Sequence, residues 1–467
     1  MIKFGTGGWR AVIGDEFTKQ NLQLLVQGLC DEIKSSGQET LPVTVGFDRR
    51  FLSDMAAKWV CQVLAGNGIR AKLIHKEAPT PLIMFQVRQD HADFGLSVTA
   101  SHNPAIYNGI KVFTRGGRDA SMEVTNAIEK RIGNVDTVLS MDYEEALKEG
   151  LVETIDPFNA YIDSILGMTD QEAFRDRNLK ILLDPMHGVS KTCLQTILLT
   201  LRCNLDVIND RHDTLFGGKL PSPSSFTLGY LKNLVVEKKY DLGLGTDGDA
   251  DRLGVIDDTG RFVDPNEIMV LLYYYLNKYK GWKGDVVRNI ATTHLLDRMA
   301  EDFGAKCHEV PVGFKHISSK MEETDAVLGG ESSGGLTIRG HILGKDGIFA
   351  ATLLVEMICR TNKRISQMLE EIHGRYGYCT IVEKSYEFNE QQKQRMTELL
   401  FIEKAIPDFH MPVLRAGYED GLKITFETGW LVVRFSGTEP LLRVFCEMPD
   451  EEEAEKTCKV MKDFLEV

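Results

Sequence analysis

No apolar stretch of this chain is long enough to cross a bilayer. The longest purely apolar run, 268–276, falls far short of the roughly 20 residues a spanning helix needs, so no membrane role is expected. Cys-x-x-Cys pairs are also missing. The nine cysteines are odd in number and scattered from Cys30 to Cys458, a pattern that suggests neither a disulfide framework nor a thiolate zinc site and predicts a reducing, cytoplasmic setting. Positive charge is in deficit. With 54 Lys+Arg against 68 Asp+Glu the net charge is −14, which argues against non-specific nucleic-acid binding and requires any anionic ligand to be held by locally placed arginines and lysines. Between Met1 and Gly8 there is no apolar segment of the kind a signal peptide needs, so the mature protein is expected to start here. Low-complexity linkers are absent as well, and the domains are expected to pack against one another.

What is present is an ordinary globular composition, 43% hydrophobic and 26% charged, over 467 residues, more than one core usually supports. The periodicity alternates. A helix is predicted over 17–30, a strand over 43–47 ending in Asp48-Arg49-Arg50, a helix over 53–66, a loop at 78–81 and a buried strand over 94–98. Tyr107-Asn108-Gly109 reads as a tight turn before 110–113, and helices over 123–132 and 143–147 close the unit near residue 150. The pattern restarts with a helix over 156–166, strands over 180–183 and 241–245, and a helix over 191–201. A third cycle is read through 253–256, the helix 265–279 and strands over 285–290 and 326–328. From about residue 374 the pattern becomes α+β, with strands over 422–426, 430–435 and 441–446 and an acidic-capped helix over 450–465. Alternating β and α segments predict mixed sheets covered by helices.

Four segments carry chemistry. Ser101, within Val98-Thr99-Ala100-Ser101-His102-Asn103-Pro104, should sit just past the carboxyl end of the 94–98 strand, where open α/β sheets place ligands. Alone, the string could as well be turn and cap residues satisfying local backbone donors. Thr246-Asp247-Gly248-Asp249-Ala250-Asp251-Arg252 sets three carboxylates at alternate positions after a strand, able to converge on one hard cation such as Mg²⁺. An EF-hand is excluded because its sixth position would be Arg252 and its twelfth Asp258. Residues 243–248 also fit G-x-G-x-x-G, but the segment after them is strand-like rather than the helix a pyrophosphate requires, so a nicotinamide site is rejected. Gly330-Glu331-Ser332-Ser333-Gly334 fits the hydrolase elbow G-x-S-x-G, yet again the chain beyond it is strand-like; Glu331 and Ser333 suit vicinal sugar hydroxyls instead. Arg434-Phe435-Ser436-Gly437-Thr438-Glu439-Pro440, with Arg443 beyond, is an inventory for clasping a phosphate.

Together, in this order and over the whole chain, these four segments resemble the α-D-phosphohexomutase family. The resemblance implies three similar mixed-sheet α/β domains in series and a smaller C-terminal α+β domain around a central cleft, here divided as 1–150, 151–254, 255–372 and 373–467. It implies that Ser101 carries a phosphoryl group and that Mg²⁺ is held by Asp247, Asp249, Asp251 and the phosphorylated Ser101. Phosphoryl would move between O1 and O6 of a hexose through a hexose 1,6-bisphosphate, which also acts as activator. Glucose phosphates are the first expected substrates, then mannose, with glucosamine behind because the 310–315 and 331–335 loops look more like the glucose type. By the same resemblance Arg10, Lys111 and His102 lie at the reacting centre. Lys111 would be a general base of lowered pKa, whereas His102, next to Ser101 in sequence, is an improbable base for it. Arg252, Gly313 and Lys315 match positions that contact substrate, Glu331 and Ser333 the sugar, and Arg434, Ser436, Gly437, Thr438 and Arg443 its phosphate. One place departs from the family: some members carry a histidine where this chain has Gly335, and His341 is the substitute considered. A metal-dependent phosphatase and a non-catalytic sugar-phosphate binder are the rivals; oligomeric state is left open.

Overall fold

The computed structural model describes residues 2–5, 8–37, 41–436 and 440–467. Four sheets succeed one another along the chain. The first contains β1 (Trp9–Val12), β2 (Val43–Phe47), β3 (Ala71–Ile74), β4 (Phe94–Val98), β5 (Tyr107–Thr114), β6 (Arg118–Asp119) and β7 (Val152–Ile155), in the order β1-β5-β4-β2-β3-β7 with β6 on β5. Its centre is parallel, and β2 and β4 are buried along their whole length, as continuous apolar strands between helical layers should be. The second sheet has β8 (Lys180–Asp184), β9 (Asn204–Val207), β10 (Leu242–Thr246), β11 (Leu253–Ile256) and β12 (Phe262–Val263), ordered β12-β11-β10-β8-β9. The third has β13 (Val286–Asn289), β14 (Cys307–Val310), β15 (Leu328–Gly330) and β16 (Leu336–Ile338), ordered β14-β13-β15-β16. In the fourth, β17 (Thr380–Glu387), β18 (Arg415–Gly417), β19 (Leu422–Thr425), β20 (Trp430–Phe435) and β21 (Leu441–Met448) pair antiparallel as β17-β21-β20-β19-β18. The sheets reach slightly past the expected divisions: β7 extends the first beyond 150, and β11 with β12 extends the second beyond 254.

Helix boundaries obey their caps. Thr18 accepts from the Asn21 amide at the start of Lys19–Ser36, and Gly37 ends it in the left-handed conformation. Asp264 and Glu267 form a capping box with Pro265 in the first turn of Pro265–Tyr275, after which a π-helical turn carries the chain to Lys280.

Three local expectations are corrected. Tyr107-Asn108-Gly109 is not a turn but the start of β5, paired with β1 so that Arg10 lies opposite Gly109. The glycine is needed for close approach, since a Cβ there would stand 2.1 Å from the Trp9 carbonyl oxygen. Residues 78–81 do not stay a loop: Thr80 begins the helix Thr80–Gln89, with Pro81 in the first turn where its missing N–H costs nothing. Finally, β11 does not open a third unit; it folds back antiparallel on β10.

The first unit has its own core, including Trp9, Leu25, Val45 and Leu96. The second and third share one, with Leu183, Leu244, Tyr273 and Leu354 in a single cluster to which the first unit adds Leu82, Phe85 and Phe113. The fourth keeps a separate core and joins the third through a small apolar seam of Trp430, Val432 and Phe445 against Ile290 and Ala291.

Candidate active site

β4 delivers the serine. Past Val98, the Thr99 hydroxyl donates to Asp48 Oδ2 at 2.6 Å and accepts from the Ser101 amide at 2.8 Å, so Thr99 is the turn residue. Ser101 itself is buried and held at φ +51°, a left-handed conformation that a non-glycine residue adopts only under constraint. Its Oγ turns away from the local backbone and donates to Asp247 Oδ2 at 2.9 Å, across 146 residues of sequence. His102 Nδ1 lies 3.4 Å from the same Oγ. Burial, with Arg252 and Arg10 nearby, pushes the His102 imidazole far down and keeps it neutral. Arg10, on β1, donates to Asn103 Oδ1 at 2.7 Å and so braces the serine loop from the other side.

β10 delivers the carboxylates. They converge through a tight turn rather than along an extended loop: the Ala250 amide bonds back to the Asp247 carbonyl, and Ala250 takes φ +63° before β11. Asp247, Asp249 and Asp251 are buried, and one carboxylate oxygen from each lies within 4.8 Å of the others. Asp249 Oδ1 and Asp251 Oδ1 are buried with no donor among the described residues. Anionic hard oxygens, two of them buried without a hydrogen-bond donor among the described residues, fit Mg²⁺.

Cations already balance part of this charge. Lys111 Nζ, from β5, donates to Asp249 Oδ2 and Asp251 Oδ2, each at 2.7 Å, and Lys345 Nζ lies 3.1 Å from Asp251 Oδ2. Burial raises all three carboxyls. In Asp251 the opposing pull of Lys111, Lys345 and Arg252 wins and holds it well below its ordinary range; Asp249 is lowered by Lys111 and the Thr80 hydroxyl, while Asp247, repelled by both neighbours, is raised. The expected lowered pKa of Lys111 is therefore corrected: burial does favour the neutral amine, but Asp249 and Asp251 outweigh it and keep the ammonium charged.

The third unit meets this centre directly. Arg252 forms a β-bridge with Gly335, and its amide donates to Asp247 Oδ1 at 3.0 Å. Glu331 accepts from the Ser333 hydroxyl at 2.7 Å, in a turn that leads into β16 rather than into the helix of a hydrolase elbow. Gly313 (φ +127°) precedes the helix Phe314–Thr324; Lys315 in its first turn has a pKa lowered by burial. In the fourth unit, Arg434 and Arg443 stand directly opposite one another on β20 and β21. Like charges in that register repel unless an anion lies between them. Each has a carboxylate nearby, Arg434 reaching Asp420 at 3.5 Å and Arg443 reaching Glu383 at 3.6 Å, and the Ser436 amide donates to the Leu441 carbonyl. Gly437 and Thr438 lie outside the described residues.

His341 does not replace the missing histidine. It is buried on Asp346, its Nε2 2.6 Å from Oδ2, and that carboxylate's other oxygen caps the helix Gly347–Thr361. The space over Gly335 is filled by Lys345, whose Cδ would stand 2.2 Å from a Cβ at position 335. Lys345 and Thr80, missed in the sequence, are isolated residues that only the meeting of units brings to Asp251 and Asp249.

The domain series of phosphoglucomutase/phosphomannomutase matches the chain in order: alpha/beta/alpha domain I over 1–138, domain II over 159–260, domain III over 264–376 and the C-terminal domain over 389–463. The chain belongs to this family. Among its relatives, a phosphoglucomutase/phosphomannomutase of Thermococcus kodakarensis is 29% identical, covering 99% of this chain and 98% of the relative. One named as a probable phosphoglucosamine mutase, from Pyrococcus furiosus, is 32% identical over 98% of this chain and 96% of its own length. The solved structure of a provisionally named phosphomannomutase from Thermus thermophilus superposes with a TM-score of 0.87 at 29% identity, covering 100% and 99% of the two chains. Family members are named as mutases, and the chain is a phosphohexomutase of this type, with three α/β domains and a C-terminal domain.

Proposed function

We propose that this phosphohexomutase works in the cytoplasm and interconverts glucose 1-phosphate and glucose 6-phosphate through a phosphorylated Ser101. What carries the proposal is the bond from Ser101 Oγ to Asp247 beside two orphaned carboxylate oxygens, which joins a phosphoryl carrier to a cation site. Asp247, Asp249 and Asp251 would hold Mg²⁺, which when bound offsets charge on the transferring group. In the first half-reaction the Oγ–P bond breaks as a P–O bond forms to the free hydroxyl of the hexose phosphate, and the hydroxyl's proton ends on Ser101 Oγ. The resulting hexose 1,6-bisphosphate turns and returns its other phosphoryl group by the reverse step; added bisphosphate would act as activator by priming Ser101. Arg10, His102 and Lys111 flank the transfer. Arg252, Gly313, Lys315, Glu331 and Ser333 would receive the sugar and Arg434, Ser436, Gly437, Thr438 and Arg443 the idle phosphate, the buried Arg434 Nε, which has no hydrogen-bond partner among the described residues, being the observation that favours an anion there.

Glucosamine, placed last among the sugars on the look of the two loops, moves up to second behind glucose. Relatives named for glucosamine phosphate are as similar as those named for glucose and mannose, which makes it the second reading. Comparing kcat/KM for glucose, mannose and glucosamine 1-phosphates, with the matching bisphosphate present, decides between them. The glucose substrate is expected to lead, and a higher value for glucosamine 1-phosphate would overturn that choice. Release of inorganic phosphate in place of isomerised sugar would point to the phosphatase.

A further inference from the structure

The Asp48-Arg49-Arg50 segment at the end of β2 contains a residue that the reaction scheme leaves unused. Arg50 is 2% exposed, and its guanidinium is spent on backbone. Nη1 donates to the carbonyls of Pro104 and Tyr107, each at 2.9 Å; Nη2 donates to those of Ser101, at 2.6 Å, and Asn103, at 2.7 Å. Its Nε faces Asp48 Oδ2 at 3.4 Å, and Asp48 in turn accepts from the Arg50 amide and from the hydroxyls of Ser53 and Thr99. One planar fork therefore gathers four carbonyls of the serine loop, which a lysine's single ammonium could not reproduce.

The fork also crosses between units. The guanidinium carbon lies 4.9 Å from the centre of the Phe216 ring, which belongs to the second unit and is buried. Beneath them is Gly248, in the middle of the acidic turn: a Cβ there would come 2.8 Å from the Ser101 carbonyl oxygen and 3.5 Å from Phe216 Cε1. The Ser101 carbonyl is thus wedged between Arg50 and the turn that carries the carboxylates.

We propose that Arg50, backed by Asp48 and stacked on Phe216, is the positioning residue that holds Ser101 in its left-handed conformation and in register with Asp247. Its importance for turnover rests on the phosphoserine reading above; its grip on the loop does not. The test measures both. Arg50→Lys keeps the charge and loses the fork. Amide hydrogen exchange across 100–108 is expected to accelerate while the rest of the first unit keeps its protection. Phosphorylation of Ser101 by glucose 1,6-bisphosphate, monitored by rapid-quench intact mass, should slow by about 10²-fold, the usual penalty for a misplacement of about 1 Å, with KM for hexose phosphate little changed. Phe216→Leu, which removes the stack and leaves the carbonyl bonds intact, is expected to give smaller changes in the same direction and decides the matter alone if Arg50→Lys does not fold. Unchanged exchange at 100–108, or phosphorylation at the wild-type rate, would overturn the proposal. If 100–108 loosens in the variants while even the wild-type protein takes no phosphoryl group, the grip on the loop stands and the phosphoserine reading falls.

Discussion

Ser101→Ala is expected to abolish isomerisation of hexose phosphates, a loss of about 10⁴-fold or more, because removing a covalent carrier leaves only binding and electrostatics behind. The physical case is local. Ser101 Oγ is the atom through which the serine loop hydrogen-bonds the acidic cluster, and alanine deletes it without disturbing the Thr99 and Arg50 bonds that shape that loop. The variant should therefore fold and still bind substrate while failing to turn it over. Intact mass gives the second readout: wild-type protein incubated with glucose 1,6-bisphosphate should carry one phosphoryl group and the variant none. Turnover surviving in Ser101→Ala would move the carrier elsewhere.

Asp249→Asn has the second-largest expected effect, a fall in kcat of roughly 10²- to 10³-fold, the size seen when one preorganised electrostatic contact to a transition state is removed. Asp249 is the middle carboxylate, with Oδ2 engaged by Lys111 and Thr80 and Oδ1 without a donor among the described residues. Neutralising it weakens the hold on a divalent ion yet also relieves repulsion with Asp247 and Asp251, so thermal stability without metal should change little while activity collapses. Metal removal makes the same point on the unaltered protein: EDTA should stop turnover and Mg²⁺ restore it. Full activity in EDTA would refute the metal assignment.

The legible parts of this site were those written in contiguous residues. Ser101 and the three aspartates each sit on a loop just past a buried strand, so strand periodicity and residue type marked each as a candidate, and the resemblance to the family is what joined them at one centre. Contacts between units carry no such local mark. Lys345 and Thr80 reach Asp251 and Asp249 across long stretches of sequence, and nothing around either residue distinguishes it from a surface lysine or a helix-start threonine. Asn108-Gly109 misled for a related reason: a glycine that permits two backbones to approach looks, in one dimension, like a glycine that permits a turn. His341 was plausible by chemistry and distance along the chain but is consumed in bracing the carboxylate that caps a helix. The α+β character of the C-terminal domain was plainest at Leu422–Thr425, which alternates in the 2-residue period of a half-covered antiparallel strand, whereas 430–433 is a continuous apolar run because it is buried on both faces.

The seam between the third and fourth domains has an optical consequence. The chain has four tryptophans, and Trp430 alone sits in that seam, fully buried, its indole N–H bonded to Glu447 at 3.0 Å and its ring 5.6 Å from that of His294. Trp9 belongs to the first domain's core and Trp59 and Trp282 pack elsewhere. If the fourth domain swings away from the third, that indole is wetted and its emission moves to the red; if the seam stays shut while the arginines take up phosphate, the emission holds. The protein thus contains its own fluorophore for tracking the domain that carries Arg434 and Arg443.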